Sequence, residues 1–313
     1  MKRIVVAGAT GFIGRALADE LGRRHGAERV LGFGSSTVDL VDAEATFEWF
    51  RKAAAGAEVE RVYHLAALYR AGDWPVHHPA TQFHANMSMN VNVLEAWRRF
   101  MPDARFTSVV SYCMYPSHEE PHPESELWGT EPEDYLFAYA FTKKALLVAQ
   151  RAYRQEHGLD CTSAVLPTVF GPGDRFAEDS HVMGALVGKF VRATRDGADS
   201  VEVWGDGRQE REFAFIDDVV DGIIAVSERS KQPVLNLGCG RAHSIAAIVE
   251  EIRKASGFQG RVRYNEQRFV GVKRRLLDVS KIRRELGWSA ATSLEEGIRR
   301  TVHWYADSLE REG

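Results

Sequence analysis

The chain has 313 residues, of which 44% are hydrophobic and 27% charged, enough for one large or two modest globular domains. Its net charge of −4 and pI near 6.3 provide no broad cationic surface, which argues against a nucleic-acid partner. No apolar run approaches the roughly 18 residues of a membrane span, and three cysteines without a CxxC pair fit a reducing cytosol, so we expect a cytoplasmic protein with no membrane partner, disulfide framework or metal site.

The first half of the chain alternates strand-like apolar runs with helix-length amphipathic segments, the pattern of a parallel sheet covered on both faces. Strands are predicted at 3–7, 30–33, 61–66, 105–111 and 160–166. Helices are predicted at 12–24, 44–55, 81–100 and 135–157. The proline-rich and glutamate-rich segment 116–132 is predicted to be a surface loop, long enough to close over a ligand.

After residue 166 the predicted elements become shorter and glycine turns more frequent, which indicates a second, smaller domain. A strand is predicted at 234–237, and helices after Asp218, His243, Asp278 and Ser293. The predicted fold class is α/β, with a Rossmann-type doubly wound parallel sheet and a smaller C-terminal α/β substrate-binding domain. Residues 1–166 form the first domain, to which about 213–240 return, and 167–212 with 241–313 form the second.

A glycine-rich turn follows the first predicted strand and opens the first helix. Gly8, Gly11 and Gly14 are placed there to make the turn, admit a pyrophosphate and let the helix pack closely. Ser35 and Ser36 stand where NAD enzymes usually carry a carboxylate for the ribose 2′-hydroxyl, which favours NADP, although serines are also common in plain turns. The predicted dinucleotide site comprises Gly8, Gly11, Phe12, Ile13, Gly14, Ser35, Ser36, Asp39, Leu40, Leu65, Ala66 and Ala67.

Tyr139 and Lys143 are spaced so that the phenol and the ammonium lie on one helix face. The lysine charge is expected to lower the tyrosine pKa, about 10 in model peptides, and so to let the pair exchange a proton near neutral pH. Ser111 ends the fourth predicted strand, where open α/β sheets bind ligands. Its hydroxyl is placed to hold a carbonyl oxygen beside Tyr139.

The glycine turn, Ser111 and the Tyr139/Lys143 pair, in this order, resemble an extended short-chain dehydrogenase/reductase. The resemblance covers nearly the whole chain. It implies that Tyr139 is the acid/base, that Lys143 also binds the nicotinamide ribose of NADP(H), and that Ser111 polarises the substrate.

Five further segments resemble the branch of that family which epimerises C3 and C5 of a GDP-4-keto-6-deoxy sugar and reduces C4; they are 111–116, 180–182, 204–207, 211–213 and 274–279. This resemblance implies that Cys113 and His181 are the acid/base residues of epimerisation. Thiol and imidazole groups, with reference pKa values of about 8.5 and 6.5, suit proton exchange near pH 7. It also implies a homodimer and a set of ligands for the nucleotide sugar, namely Lys189, Trp204, Arg211 and Arg274.

Several alternatives stay open. Cys113 also fits a small buried hydrophobe and His181 a plain loop residue, and the chain departs from the family pattern at 68–73, 167–172 and 268–271. One alternative is a nucleotide-sugar 4-reductase or 4-epimerase that leaves Cys113 and His181 idle. Another is a regulator that senses NADP and catalyses nothing, which the intact Tyr139/Lys143 pair argues against.

Overall fold

The computed structural model describes residues 2–70, 72–129, 134–268 and 271–312. Within them the strands are β1 (Arg3–Ala7), β2 (Val30–Phe33), β3 (Val59–His64), β4 (Arg105–Ser111), β5 (Cys161–Leu166), β6 (Thr168–Phe170), β7 (Ser200–Trp204), β8 (Glu210–Phe215), β9 (Val234–Asn236), β10 (Ala242–Ser244), β11 (Arg261–Asn265) and β12 (Arg274–Arg275). The helices are α1 (Phe12–His25), α2 (Ala43–Ala54), α3 (Trp74–His77), α4 (Pro79–Phe100), α5 (Phe137–His157), α6 (Val182–Arg195), α7 (Ile216–Arg229), α8 (Ile245–Ser256), α9 (Ser280–Leu286) and α10 (Leu294–Glu312).

The main sheet is parallel and has the strand order β2-β1-β3-β4-β5-β9. The strand order changes direction between β1 and β3, because the connections after these strands run to opposite sides of the sheet. This leaves a crevice beyond the carboxyl ends of the two strands, where such sheets bind ligands. β5 is buried at every position, as expected for a strand covered by helices on both faces. The predicted Rossmann-type α/β fold is confirmed.

Most predicted elements of the first half begin and end within about two residues of the observed ones. The largest shift is in β3, which was predicted at 61–66 and runs over Val59–His64. Leu65 still donates its backbone N–H to Ala7 O at 2.9 Å, and the chain then leaves the sheet toward the glycine turn. α6 was not predicted, although its sequence is amphipathic and buries one face.

The second half adds smaller sheets beside the carboxyl edge of the main one. β8 is central in one of them, between β10 and β12, and also pairs with β6. β7 and β11 form a separate parallel pair. After β8 the chain returns through α7 and adds β9 to the main sheet. The division into two domains at residue 166 stays a prediction. Within the described ranges, none of the helices is long and apolar enough to cross a membrane.

Candidate active site

The glycine turn between β1 and α1 lies directly against the segment that follows β3. Gly8 has φ +90°, and a Cβ atom there would lie 2.7 Å from Ala66 N. A Cβ on Gly14 would lie 2.0 Å from Gly8 O, so neither position accepts a side chain without moving the backbone. Gly11 precedes α1 and no side chain caps the helix there, which leaves its first N–H groups available to an anion.

The turn after β2 carries Ser35 and Ser36, both exposed, and is closed by hydrogen bonds from Thr37 N and Val38 N to Gly34 O. The Asp39 carboxylate accepts from Val41 N at 2.9 Å, so it is engaged within its own loop. The exposed side chains of Ser35 and Ser36 are thus available to a ligand at the end of β2, as the preference for NADP requires.

The predicted dinucleotide contacts after β2 and β3 differ in exposure. Leu65 and Ala66 are half-buried and Ala67 is exposed beside the glycine turn. Leu40, in contrast, is packed into the core with 6% of its surface exposed. The Leu40 side chain therefore contributes to core packing, and the contact of Asp39 and Leu40 with the adenine stays a prediction.

Tyr139 and Lys143 lie on the inward face of α5, as their spacing predicted. Both are buried, and the Lys143 ammonium lies 5.7 Å from the centre of the Tyr139 ring. The same ammonium donates to Val109 O on β4 at 3.2 Å, which fixes the lysine at the end of the strand that carries Ser111. The helix and the strand end are thus held together by the lysine itself.

The expected lowering of the Tyr139 pKa is not what this structure shows. Burial raises the pKa of Tyr139, and the neighbouring Cys113 adds to that shift. Burial also lowers the pKa of Lys143 to about 8. Removal from water is therefore the main cause of both pKa shifts, and Tyr139 rests as the neutral phenol, which is the form that donates a proton.

A buried polar network fixes α5 behind the catalytic pair. His64 Nε2 donates to Asn90 Oδ1 at 3.0 Å, and Asn90 Nδ2 donates to Thr142 O at 3.2 Å. Thr142 in turn donates its hydroxyl to Tyr139 O at 2.7 Å. Burial lowers the pKa of His64 to about 4, and the Lys143 charge adds to the shift, so His64 adds no second positive charge beside the lysine.

Ser111 and Cys113 lie at the carboxyl end of β4. The strand ends at Ser111, and a 3-10 turn over Tyr112–Met114 follows, in which Ser111 Oγ accepts from Cys113 N at 3.2 Å. The strand does not persist to Cys113, so the alternation argument for placing both side chains on one side does not apply. The turn nevertheless leaves Cys113 lining the same cavity as Ser111 and Tyr139.

His181 and Tyr139 both contact Tyr69, a residue that the sequence did not single out. The Tyr69 ring stacks on the His181 ring, with centroids 4.8 Å apart and planes 6° apart. Tyr69 also meets Tyr139 edge-on at 4.9 Å. His181 stays accessible, yet burial by the surrounding protein lowers its pKa, so the imidazole is neutral at physiological pH. Tyr69 thus connects the tyrosine of α5 with the histidine that precedes α6.

Trp204, at the end of β7, is flanked by two cations. Lys189 Nζ lies 5.4 Å from the indole centre and the Arg268 guanidinium carbon 5.2 Å from it. The Trp204 side chain keeps 39% of its surface exposed. Lys189 also donates to Glu202 O at 3.2 Å, which fixes the ammonium beside the ring. An exposed aromatic face next to positive charge is suited to a nucleotide.

Two arginines face the cavity from neighbouring strands. In the β12–β8 register, Arg275 is the direct partner of Arg211. Both line the cavity, where a guanidinium fork suits the paired oxygens of a phosphate. Arg274 was predicted to bind the nucleotide sugar, and that role stays a prediction. Arg274 pairs with Glu210 at 3.0 Å and donates to Glu119 O at 2.6 Å, away from the cavity.

Several of these groups line a cavity of about 390 Å³ between the main sheet and the smaller sheets. The predicted site residues among its lining are Phe12, Ile13, Ser111, Cys113, Tyr139, His181, Lys189, Trp204 and Arg211. Tyr69 and Arg275 are lining residues that sequence reasoning missed. The signal for Tyr69 was its place in a stretch that departs from the family pattern, whereas only the register with β8 shows which of two adjacent arginines faces inward.

Several known proteins are similar to this chain in sequence or in structure. The model of the NAD dependent epimerase/dehydratase family matches residues 4–238. The GDP-L-fucose synthase of Escherichia coli (strain K12) is 31% identical over 322 residues, covering 99% of this chain and 98% of that protein. The crystal structure of a GDP-L-fucose synthetase from Naegleria fowleri bound to NADP has a TM-score of 0.85 at 26% identity, covering 99% and 95% of the two chains.

A GDP-mannoheptose C4 reductase from Campylobacter jejuni with NADP bound also has a TM-score of 0.85 at 26% identity, covering 97% and 98% of the two chains. The family model spans three quarters of the chain, and a relative above 30% identity spans nearly all of it. This chain therefore belongs to the NAD dependent epimerase/dehydratase family and is a relative of the GDP-L-fucose synthases.

Proposed function

We propose that this protein is an NADPH-dependent enzyme that inverts C3 and C5 of a GDP-4-keto-6-deoxy sugar and reduces its C4 ketone, the activity of a GDP-L-fucose synthase. The observation that carries the proposal is one cavity lined by Ser111, Tyr139, Cys113 and His181. It brings a reductive acid together with two further groups able to exchange protons with carbon. The full-length similarity to GDP-L-fucose synthases supports the same assignment.

The cofactor site fits NADP(H). The uncapped start of α1 offers N–H groups to the diphosphate, and Gly8 and Gly14 leave room for it where a Cβ would meet backbone. Ser35 and Ser36 provide hydroxyl donors for a 2′-phosphate, and Lys143 is placed for the nicotinamide ribose. When bound, NADPH supplies the hydride that reduces C4.

The chemistry of the chain's own residues follows from the position of the ketone. C3 and C5 both flank C4, so removal of a proton from either carbon places negative charge on the C4 oxygen. Ser111 and Tyr139 donate hydrogen bonds to that oxygen, and one oxyanion site therefore serves both inversions. In the reduction, Tyr139 gives its phenolic proton to the same oxygen as the carbonyl becomes a hydroxyl.

Cys113 and His181 act as the pair that inverts the two carbons. Inversion requires that one group removes a proton from one face and another returns a proton to the opposite face. The lowered pKa of His181 keeps its imidazole neutral, so it is able both to accept a proton and, once protonated, to release it readily. The Tyr69 ring stacks on the His181 ring, which fixes the direction in which the imidazole faces the substrate.

The nucleotide end of the substrate is assigned to the basic and aromatic wall of the cavity. Arg211 and Arg275 are neighbours across β8 and β12 and provide planar forks for the two phosphates. Trp204 and Lys189 lie further along the same wall, where an exposed ring is available to stack on the guanine. We assign the sugar to the opposite end, beside Tyr139.

A second candidate function is reduction at C4 without epimerisation, as the similarity to a GDP-mannoheptose C4 reductase suggests. Tyr69 is the observation that favours it. The ring lies in the stretch that departs from the family pattern and packs between Tyr139 and His181. A bulky aromatic there narrows the space around the sugar, and it leaves the reductive pair in place.

A panel of GDP-linked 4-keto sugars, each incubated with NADPH or NADH, tests the proposal and separates the two candidates. We expect consumption of NADPH with GDP-4-keto-6-deoxymannose and a product whose NMR coupling constants show inversion at C3 and C5. Reduction of the same sugar with C3 and C5 unchanged would favour the second candidate. No consumption of either cofactor with any sugar of the panel would refute both.

The homodimer and the cytoplasmic location belong to the same proposal. Large apolar side chains are exposed along α4 and α5, and the Phe83 and Phe141 rings lie 6.1 Å apart on that surface. A four-helix contact between two copies would cover it. We expect sedimentation to report a dimer for the native chain and a monomer for Phe141→Glu, whereas a native monomer would contradict the assignment.

A further inference from the structure

The loop between β4 and α5 contains a group of metal-ligand side chains apart from the active-site cavity. His118, His122 and Glu126 each offer one ligand atom, and these atoms lie within 4.8 Å of one another. His118 Nε2 lies 3.0 Å and His122 Nδ1 2.9 Å from the same oxygen, Glu126 Oε2. The geometry points to a binding site for a divalent transition-metal ion of the zinc type at these three residues.

The distances fit such an ion. Zinc takes histidine nitrogen and carboxylate oxygen at about 2.0–2.2 Å, which puts tetrahedral ligand atoms about 3.3 Å apart. The observed separations of 2.9 and 3.0 Å between each ring nitrogen and the carboxylate oxygen need to open by only a few tenths of an ångström. The two ring nitrogens lie within 4.8 Å of each other and have to meet the same spacing. Two histidines with one glutamate leave a fourth position for water, and the Glu126 side chain keeps 36% of its surface exposed on that side of the loop.

Each of the two histidine rings uses one nitrogen on the Glu126 carboxylate, and these are the nitrogens that an ion would share. The His122 side chain is fully buried, and its Nε2 atom has no hydrogen-bond partner within the part of the chain that the structure describes. The same holds for His118 Nδ1. The two rings lie 4.0 Å apart, so the Glu126 carboxylate is the group that joins them.

The ion would fix a loop that joins two parts of the cavity wall. The backbone N–H of His122 donates to Leu276 O, and the backbone carbonyl of His122 accepts from Asp278 N. The His122 ring stacks on the Tyr115 ring, with centroids 5.0 Å apart. These contacts attach the loop to the segment around β12, while its two ends carry Cys113 and Tyr139. A metal ion bound by His118 and Glu126 would attach the short 3-10 helix over Glu124–Trp128 to the start of the loop. We therefore assign the ion a structural role. Cysteine spacing alone, which the sequence analysis used, gives no sign of this site.

Titration of chelator-treated protein with Co²⁺, followed by displacement with Zn²⁺, tests the inference. We expect one Co²⁺ per chain with the intense visible absorption of four-coordinate cobalt, and a higher melting temperature on adding Zn²⁺. His118→Ala removes a partly exposed ligand and should lower the affinity at least tenfold without disturbing the circular dichroism spectrum. His303→Ala, an exposed histidine on α10, is the matched control and should bind as the native chain does.

Three outcomes would overturn the assignment. These are the absence of stoichiometric binding, weak binding at several sites with no preference, and an affinity that His118→Ala and Glu126→Gln leave unchanged. Because binding and melting are measured without substrate, the result does not depend on the proposed enzymatic activity.

Discussion

The turn assigned to the dinucleotide and the wall assigned to the sugar differ in how far apart their residues lie in the sequence. Gly8, Gly11 and Gly14 lie within one turn after β1, and their shape is fixed by backbone sterics. The sugar wall instead brings Tyr69, Cys113, Tyr139 and His181 together from separate loops and a helix. Under the proposed function, a local motif forms the cofactor site, whereas contacts between distant segments form the sugar site, so the second region is the one free to differ between relatives.

The largest expected effect is in Tyr139→Phe, which removes the phenolic proton and keeps the ring against Tyr69. NADPH oxidation with the 4-keto sugar should fall about 10³-fold, because a positioned acid contributes that much to proton transfer. Steady-state absorbance kinetics measure it. Tyr264→Phe, at an exposed position of β11, is the control and should leave the rate unchanged. Native turnover in Tyr139→Phe would show that another group is the acid.

Cys113→Ser and His181→Asn separate epimerisation from reduction within the sugar wall. We expect each substitution to slow incorporation of solvent deuterium at C3 and C5 about 100-fold, since a proton-transfer group is lost. Reduction of a 4-keto sugar that needs no inversion should continue. Mass spectrometry of the product measures the label, and Cys239→Ser is the control. If label enters both variants at the native rate, these residues take no part in epimerisation, and reduction at C4 alone is the favoured function.

Lys143→Met tests the energetic consequence of burying the catalytic lysine. Burial lowers the pKa of Lys143 to about 8, from about 10.4 for a lysine in water, so below pH 8 the native state bears the full penalty of a buried charge. The variant should therefore be more stable at pH 7 by up to about 3 kcal/mol, at about 1.4 kcal/mol per pKa unit, although inactive. The sign follows because the unfolded chain binds the proton more tightly.

The same linkage predicts how the difference changes with pH. Stability of the native chain should rise between pH 8 and 10.5, where only the unfolded state still holds the proton, and the advantage of Lys143→Met should disappear across that interval. Urea unfolding at several pH values measures it, with Lys231→Met, an exposed lysine, as the control. A variant less stable than the native chain at pH 7 would mean that the hydrogen bond to Val109 O outweighs the burial penalty.

The smallest effect is expected for the aromatic contact that the sequence did not reveal. Tyr69→Ala removes the support of the His181 ring and should lower kcat/KM for the 4-keto sugar about tenfold, through misplacement of the histidine. Tyr69→Phe keeps the stack and should behave as the native enzyme. NADPH affinity should be equal in both, because Tyr69 lies at the sugar end. Equal loss in both variants would assign the role to the hydroxyl and not to the stacked ring.

The extent to which the sequence predicts this molecule follows the same division. The order of strands and helices, the glycine turn and the Tyr139/Lys143 pair depend on local spacing, and the structure places them as expected. Arg275 and Tyr69 depend on strand register and on loop packing, which local patterns do not encode. The pKa expectation for Tyr139 was wrong because the strength of burial, not the presence of a neighbouring charge, decides the shift.

Solvent-deuterium labelling during turnover tests the central claim most directly, since it reports on proton transfer to carbon in the cavity shared by Cys113, His181 and Tyr139. With GDP-4-keto-6-deoxymannose and NADPH in D₂O, we expect deuterium at both C3 and C5 of a product reduced at C4. A product reduced at C4 that carries no label at either carbon would contradict the epimerase assignment.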